Sequence, residues 1–107
     1  MSGTALPDAS GLPEVAAAVA DLAARQGVSR EDIEVIEVRE VTWRDGSLGC
    51  PRPGVNYTQA LVNGQLVVLA IGEQRFEYHS GPRRPLFFCA DPRPPLEEGA
   101  GTGAGGT

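Results

Sequence analysis

The sequence predicts one small α+β domain, with an N-terminal helix packed on a curled four- or five-stranded antiparallel β-meander. Three observations predict it. Apolar residues recur at helical spacing near the start, and from Ile33 the chain turns to short β-rich runs broken by Gly, Pro and Asn signals. With 107 residues in total there is room for a single core.

In the helix, Leu12, Val15, Ala16, Val19, Leu22 and Ala23 fall on one face. Pro13 suits its first turn and Gly27 its stop, and the Ala-rich remainder favours helix intrinsically. Ser29-Arg30-Glu31-Asp32 then reads as a capping-box turn of about one helical turn. Ile33 to Trp43 reads as a long strand whose apolar phase slips. Ile33 and Val35 share one parity, Ile36 and Val38 the other, and Val41 and Trp43 return to the first. A bulge or two is therefore expected.

Tyr57 to Val62 reads as the next strand, running into Asn63-Gly64, the strongest short hairpin signal in the chain. Gln65 to Ile71 returns, Gly72-Glu73 or Glu73-Gln74 turns, and Arg75 to His79 follows. After a turn over Ser80 to Arg84, Pro85 to Cys89 is a last short strand, with proline at its start where strands tolerate it. This register puts Ala60, Val62, Val67, Leu69, Phe76 and Tyr78 under the helix. The opposite face, with Tyr57, Gln59, Leu61, Leu66, Val68, Arg75, Glu77 and His79, is mixed in polarity and expected to be open to water or a partner. Residues 12–90 form the domain on this reading. Residues 1–11 are a flexible leader, and the Pro/Gly-rich stretch 91–107 is too poor in large apolar residues to order.

Net charge is −5, and all nine basic residues are Arg, scattered along the chain. Nucleic-acid binding, which needs clustered positive charge, is not expected. The longest apolar run, Leu66 to Ile71, falls far short of the ~20 residues of a spanning helix, so membrane insertion is not expected either. The chain opens with no basic-then-apolar leader. A cytoplasmic location is the expectation for the sequence as given, with an exported parent protein as the alternative. The absence of Lys beside abundant Ala, Gly, Pro and Arg fits a GC-rich bacterial genome.

The segment from Trp43 to Gln59 is long for so small a domain, and such a connection is either ordered by its own contacts or functional. Gly46, Ser47, Leu48, Gly49, Cys50 and Pro51 are its structural part: Asp45-Gly46 turns, Leu48 folds inward, and Cys50-Pro51 sets the direction afterwards. Trp43, Asp45, Tyr57 and Gln59 remain as candidate binding residues, with His79 beside Gln59 on the outer face. The string W-R-D-G-S-L-G-C-P, followed by Y-T-Q, Y-H-S-G and a closing Cys, resembles a family of small, mostly uncharacterised bacterial proteins with the pattern W-x-D-G-S-L-G-C-P…Y-x-Q…Y-H-T-G…C. Many of its members look exported or lipid-anchored. The match runs from about Ile33 to Cys89 and implies no particular activity. The helix-then-meander order also resembles PepSY-like and cystatin-like domains, which implies peptidase inhibition or regulation.

Cys50 and Cys89 have two readings, a disulfide contributing about 3–4 kcal/mol or two buried thiols. No C-x-x-C accompanies the single His, so a metal site lacks its usual spacing, and no cofactor motif is present. No nucleophile elbow, phosphate loop or paired-carboxylate motif marks an enzyme. The expected function is a monomeric, non-catalytic interaction module for a protein or peptide, inhibitor-like or peptidase-regulating. It requires Trp43, Tyr57 or His79 to be solvent-exposed. The alternative is a thiol- or metal-dependent activity centred on Cys50 and His79.

Overall fold

The structure, a computed structural model, describes residues 12–96. The leader 1–11 and residues 97–107 of the tail lie outside the described residues. One helix, α1 (Pro13–Gln26), is followed by a single 3-10 turn (Arg30–Asp32) and four strands. These are β1 (Glu34–Trp43), β2 (Val62–Ile71), β3 (Gln74–Gly81) and β4 (Arg84–Cys89). They form one antiparallel sheet in the order β1-β2-β3-β4, an open meander with β1 and β4 at its edges. Among the described residues no helix is long and apolar enough to cross a membrane.

Helix α1 starts at Pro13, whose fixed φ suits a first turn, and stops at Gly27. Gly27 takes the left-handed conformation (φ +67°) while the Val28 N–H closes on the Ala23 carbonyl, the usual way to satisfy a helix end. Val15, Ala18 and Leu22 are its buried line. Ala16, expected on that face, is exposed, and Ala18 takes its place. The 3-10 turn is capped as its sequence predicts: Glu31 N–H donates to Ser29 Oγ, and Ser29 N–H to Asp32 Oδ2.

The helix lies over Val67, Leu69, Phe76 and Tyr78, with Ile33, Val35, Val38, Leu86 and Phe88 at the margin of that core. The pairs Val67↔Tyr78 and Leu69↔Phe76 place these four on one face, as expected from either turn, and the pair Ile71↔Gln74 puts the turn at Gly72-Glu73. Tyr78 O–H donates to Asp21 Oδ2 (2.6 Å), and Arg25 Nε donates to the same oxygen. The Tyr78 hydrogen bond is the main reason the Asp21 carboxyl sits below the ordinary carboxylate range; partial burial opposes it and Arg25 reinforces it. Burial pushes the Tyr78 hydroxyl well up, and the bond to Asp21 adds to this.

Two sequence expectations are corrected here. Tyr57 to Val62 is not a strand, and Asn63-Gly64 is not a turn. Both residues of that pair lie inside β2, opposite Thr42 and Val41 of β1. The reason is steric. A Cβ on Gly64 would run into the Ser80 carbonyl of β3 and come within 2.6 Å of Trp43 Nε1, so this glycine serves a close approach and not a reversal. With no hairpin at 63–64, β2 keeps one parity from Val62 onward. Val62 therefore joins Leu66 and Val68 on the far face, and Ala60 is exposed outside the sheet.

The phase slip of β1 has one bulge behind it, between Val35 and Glu37. Beyond it no second bulge interrupts β1. Val41 and Trp43 return in phase because this end of the strand buries its other face. The sheet is thus covered on both sides. The face expected to be open carries a second core of Val41, Trp43, Leu48, Leu66 and Val68, packed with Ile36, Val62 and Phe87.

Replacing Tyr78 by Phe is expected to move the Asp21 carboxyl upward, toward the ordinary range near 3.9, in an NMR carboxyl titration. Because the folded-state value is lowered, its stabilisation is present above the unfolded value and lost as pH falls through the folded one. The stability deficit of Tyr78→Phe should therefore shrink between pH 7 and pH 2. A deficit that stays constant would remove Asp21 from this account.

Candidate functional site: a clamped loop over the second core

The connection from Arg44 to Leu61 divides into two parts. Its first part, through Cys50, is pressed onto the sheet, with Ser47, Leu48 and Gly49 buried. Asp45 starts it as a turn cap: Oδ1 accepts from both the Ser47 N–H (2.9 Å) and the Ser47 hydroxyl (2.6 Å). Leu48 is held at φ +58°, a conformation that costs a branched side chain on the order of 1–3 kcal/mol. That geometry seats its side chain against Gly81, where a Cβ would approach Leu48 Cδ2 to 2.9 Å, while its carbonyl accepts a hydrogen bond from His79 Nδ1–H (2.7 Å). Gly49 follows at φ +74°, between the Trp43 ring and the Arg93 carbonyl, with no room for a side chain on either side.

Trp43 and His79 are both fully buried. Their rings stack at 4.4 Å with 25° between planes, and the Phe87 ring meets His79 edge-on at 6.3 Å. Trp43 Nε1–H donates to the Ser80 carbonyl (2.9 Å). His79 Nε2 lies 2.8 Å from Glu77 Oε1. The Leu48 carbonyl can only accept, so Nδ1 carries the hydrogen of that contact. The expectation of a solvated His79 and an open Trp43 is thus corrected: the loop itself covers them.

Cys50 and Cys89 form a disulfide (Cα–Cα 5.8 Å), which fastens the end of the buried part to the end of β4. Past Cys89 the chain continues as a strap. The Arg93 N–H donates to the Gly49 carbonyl and the Leu96 N–H to the Thr42 carbonyl (both 2.8 Å), and Pro95 is buried. The described chain therefore runs past the boundary expected at residue 90.

The second part of the loop, Pro51 to Leu61, is exposed except at the half-buried Tyr57. It is held from within: Tyr57 Oη accepts from the Arg52 N–H (3.1 Å), the Thr58 carbonyl accepts from the Gly46 N–H (2.9 Å), and Gln59 Nε2 donates to the Tyr57 carbonyl (3.3 Å). Val55 and Leu61 are 48 % and 64 % exposed, the two large apolar side chains most open to water among the described residues. Of the five candidate binding residues, Trp43, Asp45 and His79 hold the loop down, and Tyr57 and Gln59 reach the surface. Among the described residues no group of three or more His, Cys, Asp or Glu is placed to hold a metal ion. With Cys50 in a disulfide and both His79 ring nitrogens engaged, the two are not arranged as a nucleophile and its base.

Beside β4, the edge strand, a cavity of about 180 Å³ is lined by Arg25, Arg52, Tyr57, Arg84, Phe87 and Phe88, and closed on the loop side by Gly46, Ser47 and Cys50. Sequence reading left these arginines scattered. Positions 25, 52 and 84 come from the helix, the loop and the last strand, and no local pattern could have grouped them.

The chain belongs to the DUF8738 family, a domain of unknown function whose model matches residues 15–89. The matched span runs from the first buried residue of α1 to the closing cysteine. No curated protein and no solved structure matches the chain.

Two measurements test the clamp. Reducing the disulfide, or the pair Cys50→Ser with Cys89→Ser, is expected to lower unfolding stability by about 4 kcal/mol in urea titrations, from the closure entropy of a link across a sequence separation of 39. Equal stability with and without reductant would show that the link contributes nothing. Gly64→Ala is expected to force away both the Ser80 carbonyl and the Trp43 ring that meet over it, at a cost of about 2–4 kcal/mol, with a red shift of the Trp43 emission. Unchanged emission would contradict the close approach.

Proposed function

We propose that this domain is a non-catalytic interaction module, and that its contact surface is the outer arm of the loop, Pro51 to Leu61. The observation that carries the reading is the division of one loop into a buried, disulfide-clamped half and an exposed half. An exposed connection positioned by a rigid scaffold is where proteins place binding residues, because its geometry is set before the partner arrives. The exposed half presents Val55 and Leu61 to water together with Tyr57 and Gln59. Of the three residues on which the reading depends, Trp43 and His79 are buried and Tyr57 is half-buried, so Tyr57 alone is left to support it.

The inhibitor-like form of the reading, with the arm entering a peptidase cleft, draws on the helix-then-meander order and on Pro51 and Pro53, which stiffen the arm just after the disulfide. A disulfide of this kind persists in oxidising surroundings, which supports the exported form of the parent protein.

The test is the double variant Val55→Ser with Leu61→Ser. Both side chains are exposed, so stability is expected to stay within about 0.5 kcal/mol of wild type. Capture of a partner from a native lysate by the oxidised domain is expected to be lost. Undiminished capture by the variant would overturn the assignment of this surface. Inhibition of a peptidase panel by wild type alone would select the inhibitor-like form.

A further inference from the structure

The cavity at the β4 edge has a charge character opposite to that of the molecule. The chain carries a net charge of −5, yet three of its nine arginines converge here. Arg84 lays its guanidinium over the Phe87 ring at 3.6 Å from the centroid, and Arg25 lies over Phe88 at 5.1 Å. Stacking of this kind fixes the plane of the fork and leaves its N–H edges free for acceptors. Among the described residues neither Arg52 nor Arg84 is ion-paired, and the one carboxylate on these arginines is Asp21, bound to Arg25. Tyr57 adds a donor. Its oxygen accepts from the Arg52 N–H, so its own O–H remains for a ligand.

Next to these donors lies unpaired backbone. β4 is the last strand of the sheet, and Phe87 and Phe88 on it line the cavity. An edge strand accepts a further strand through its outward N–H and C=O groups. Pro85 lacks the N–H to take part, and Cys89 is tied to the loop through Cys50, so the usable edge is Leu86 to Phe88. A volume of about 180 Å³ lies below the roughly 300–1,000 Å³ of a drug-sized ligand site and suits one side chain. The net negative charge works against a polyanion.

We propose that this cleft binds an extended acidic peptide, which adds to β4 at Leu86–Phe88 and places one carboxylate side chain among Arg52, Arg84, Arg25 and the Tyr57 hydroxyl. The inference rests on the interaction-module reading and names its partner class, since Arg52 and Tyr57 belong to the same loop arm. A carboxylate is the acceptor that a planar guanidinium fork matches with two parallel hydrogen bonds, and Arg84, held on its ring, is arranged to make them.

The experiment uses the oxidised protein and a fluorescein-labelled seven-residue Thr peptide with one central Glu, its Gln counterpart, and inorganic phosphate. Binding is read by anisotropy, and its location by amide and Arg Nε–H chemical shifts. The Glu peptide is expected to bind and to shift the amides of Leu86 to Phe88, with the Gln peptide at least about tenfold weaker. Arg52→Gln and Arg84→Gln are each expected to weaken the Glu peptide by about tenfold with unchanged melting. Should Arg84→Gln fail to fold, Arg84→Lys keeps charge and stem but not the fork, and must also weaken binding. No binding, equal affinity for the Gln peptide, or shifts confined to residues outside the cleft would overturn the proposal. So would phosphate shifting the arginines while the peptide leaves Leu86–Phe88 unmoved, since the cleft would then be a simple oxyanion site. Any of these results leaves the interaction-module reading standing, because that reading is decided by the Val55 and Leu61 variants.

Discussion

Trp43 lies flat on His79, covers the bare backbone of Gly64, and donates its indole N–H to the Ser80 carbonyl. Much of the molecule follows from this seat. Three strands meet at it, since Trp43 ends β1, Gly64 lies in β2, and His79 and Ser80 lie in β3. The ring supplies the floor on which Gly49 rests without a side chain. Gly49 in turn lets Leu48 adopt its left-handed turn and aim a carbonyl at His79. A large aromatic can occupy this position only because the residue beneath it has no Cβ, and an indole N–H can be buried only because a carbonyl waits for it.

That seat explains why a small domain covers its sheet twice. One helix hides one face. The other face has Leu66, Val68, Val41 and Trp43 to bury, and no second helix among the described residues to do it. The first half of the long loop takes that role, fastened by the Cys50–Cys89 disulfide and crossed by the strap from Arg93 to Leu96. Once its first half is fixed, the second half has its ends placed for it and needs little burial of its own. The same fastening brings Arg52 and Tyr57 alongside β4, where they meet Arg84 from the strand and Arg25 from the helix. The exposed arm and the basic cleft are therefore two consequences of one clamp.

Reading by period worked where one element faced one layer. The helix bounds at Pro13 and Gly27, the capped 3-10 turn, the reversal after Ile71 and the common face of Val67, Leu69, Phe76 and Tyr78 all follow from local chemistry and two-residue alternation. It misread the places where a residue type has two uses. Asn63-Gly64 has the composition of a tight turn, but its glycine serves an approach by the Ser80 carbonyl of the next strand and by Trp43, twenty-one residues earlier in the chain. The in-phase return of Val41 and Trp43 looked like a second bulge, whereas the strand changes which face it buries. His79 looked solvated because its neighbours Glu77 and Arg75 are charged, yet its two ring nitrogens find partners in Glu77 and the distant Leu48.

What the sequence determined by itself was the helix, the 3-10 turn, the strands β1, β3 and β4 with the later part of β2, and a long connection after Trp43 with the candidates within it. Those features depend on φ preferences, periodicity and side-chain volume over a few residues. Tertiary structure alone decided which side of that loop each residue serves. Trp43, Asp45, Leu48 and His79 became its anchors, and Tyr57 and Gln59 were left at the surface. It also decided that three arginines from distant positions share one cleft. Burial and charge proximity are properties of what comes to lie opposite a residue, and in an antiparallel meander closed by a disulfide that opposite surface is supplied by remote chain.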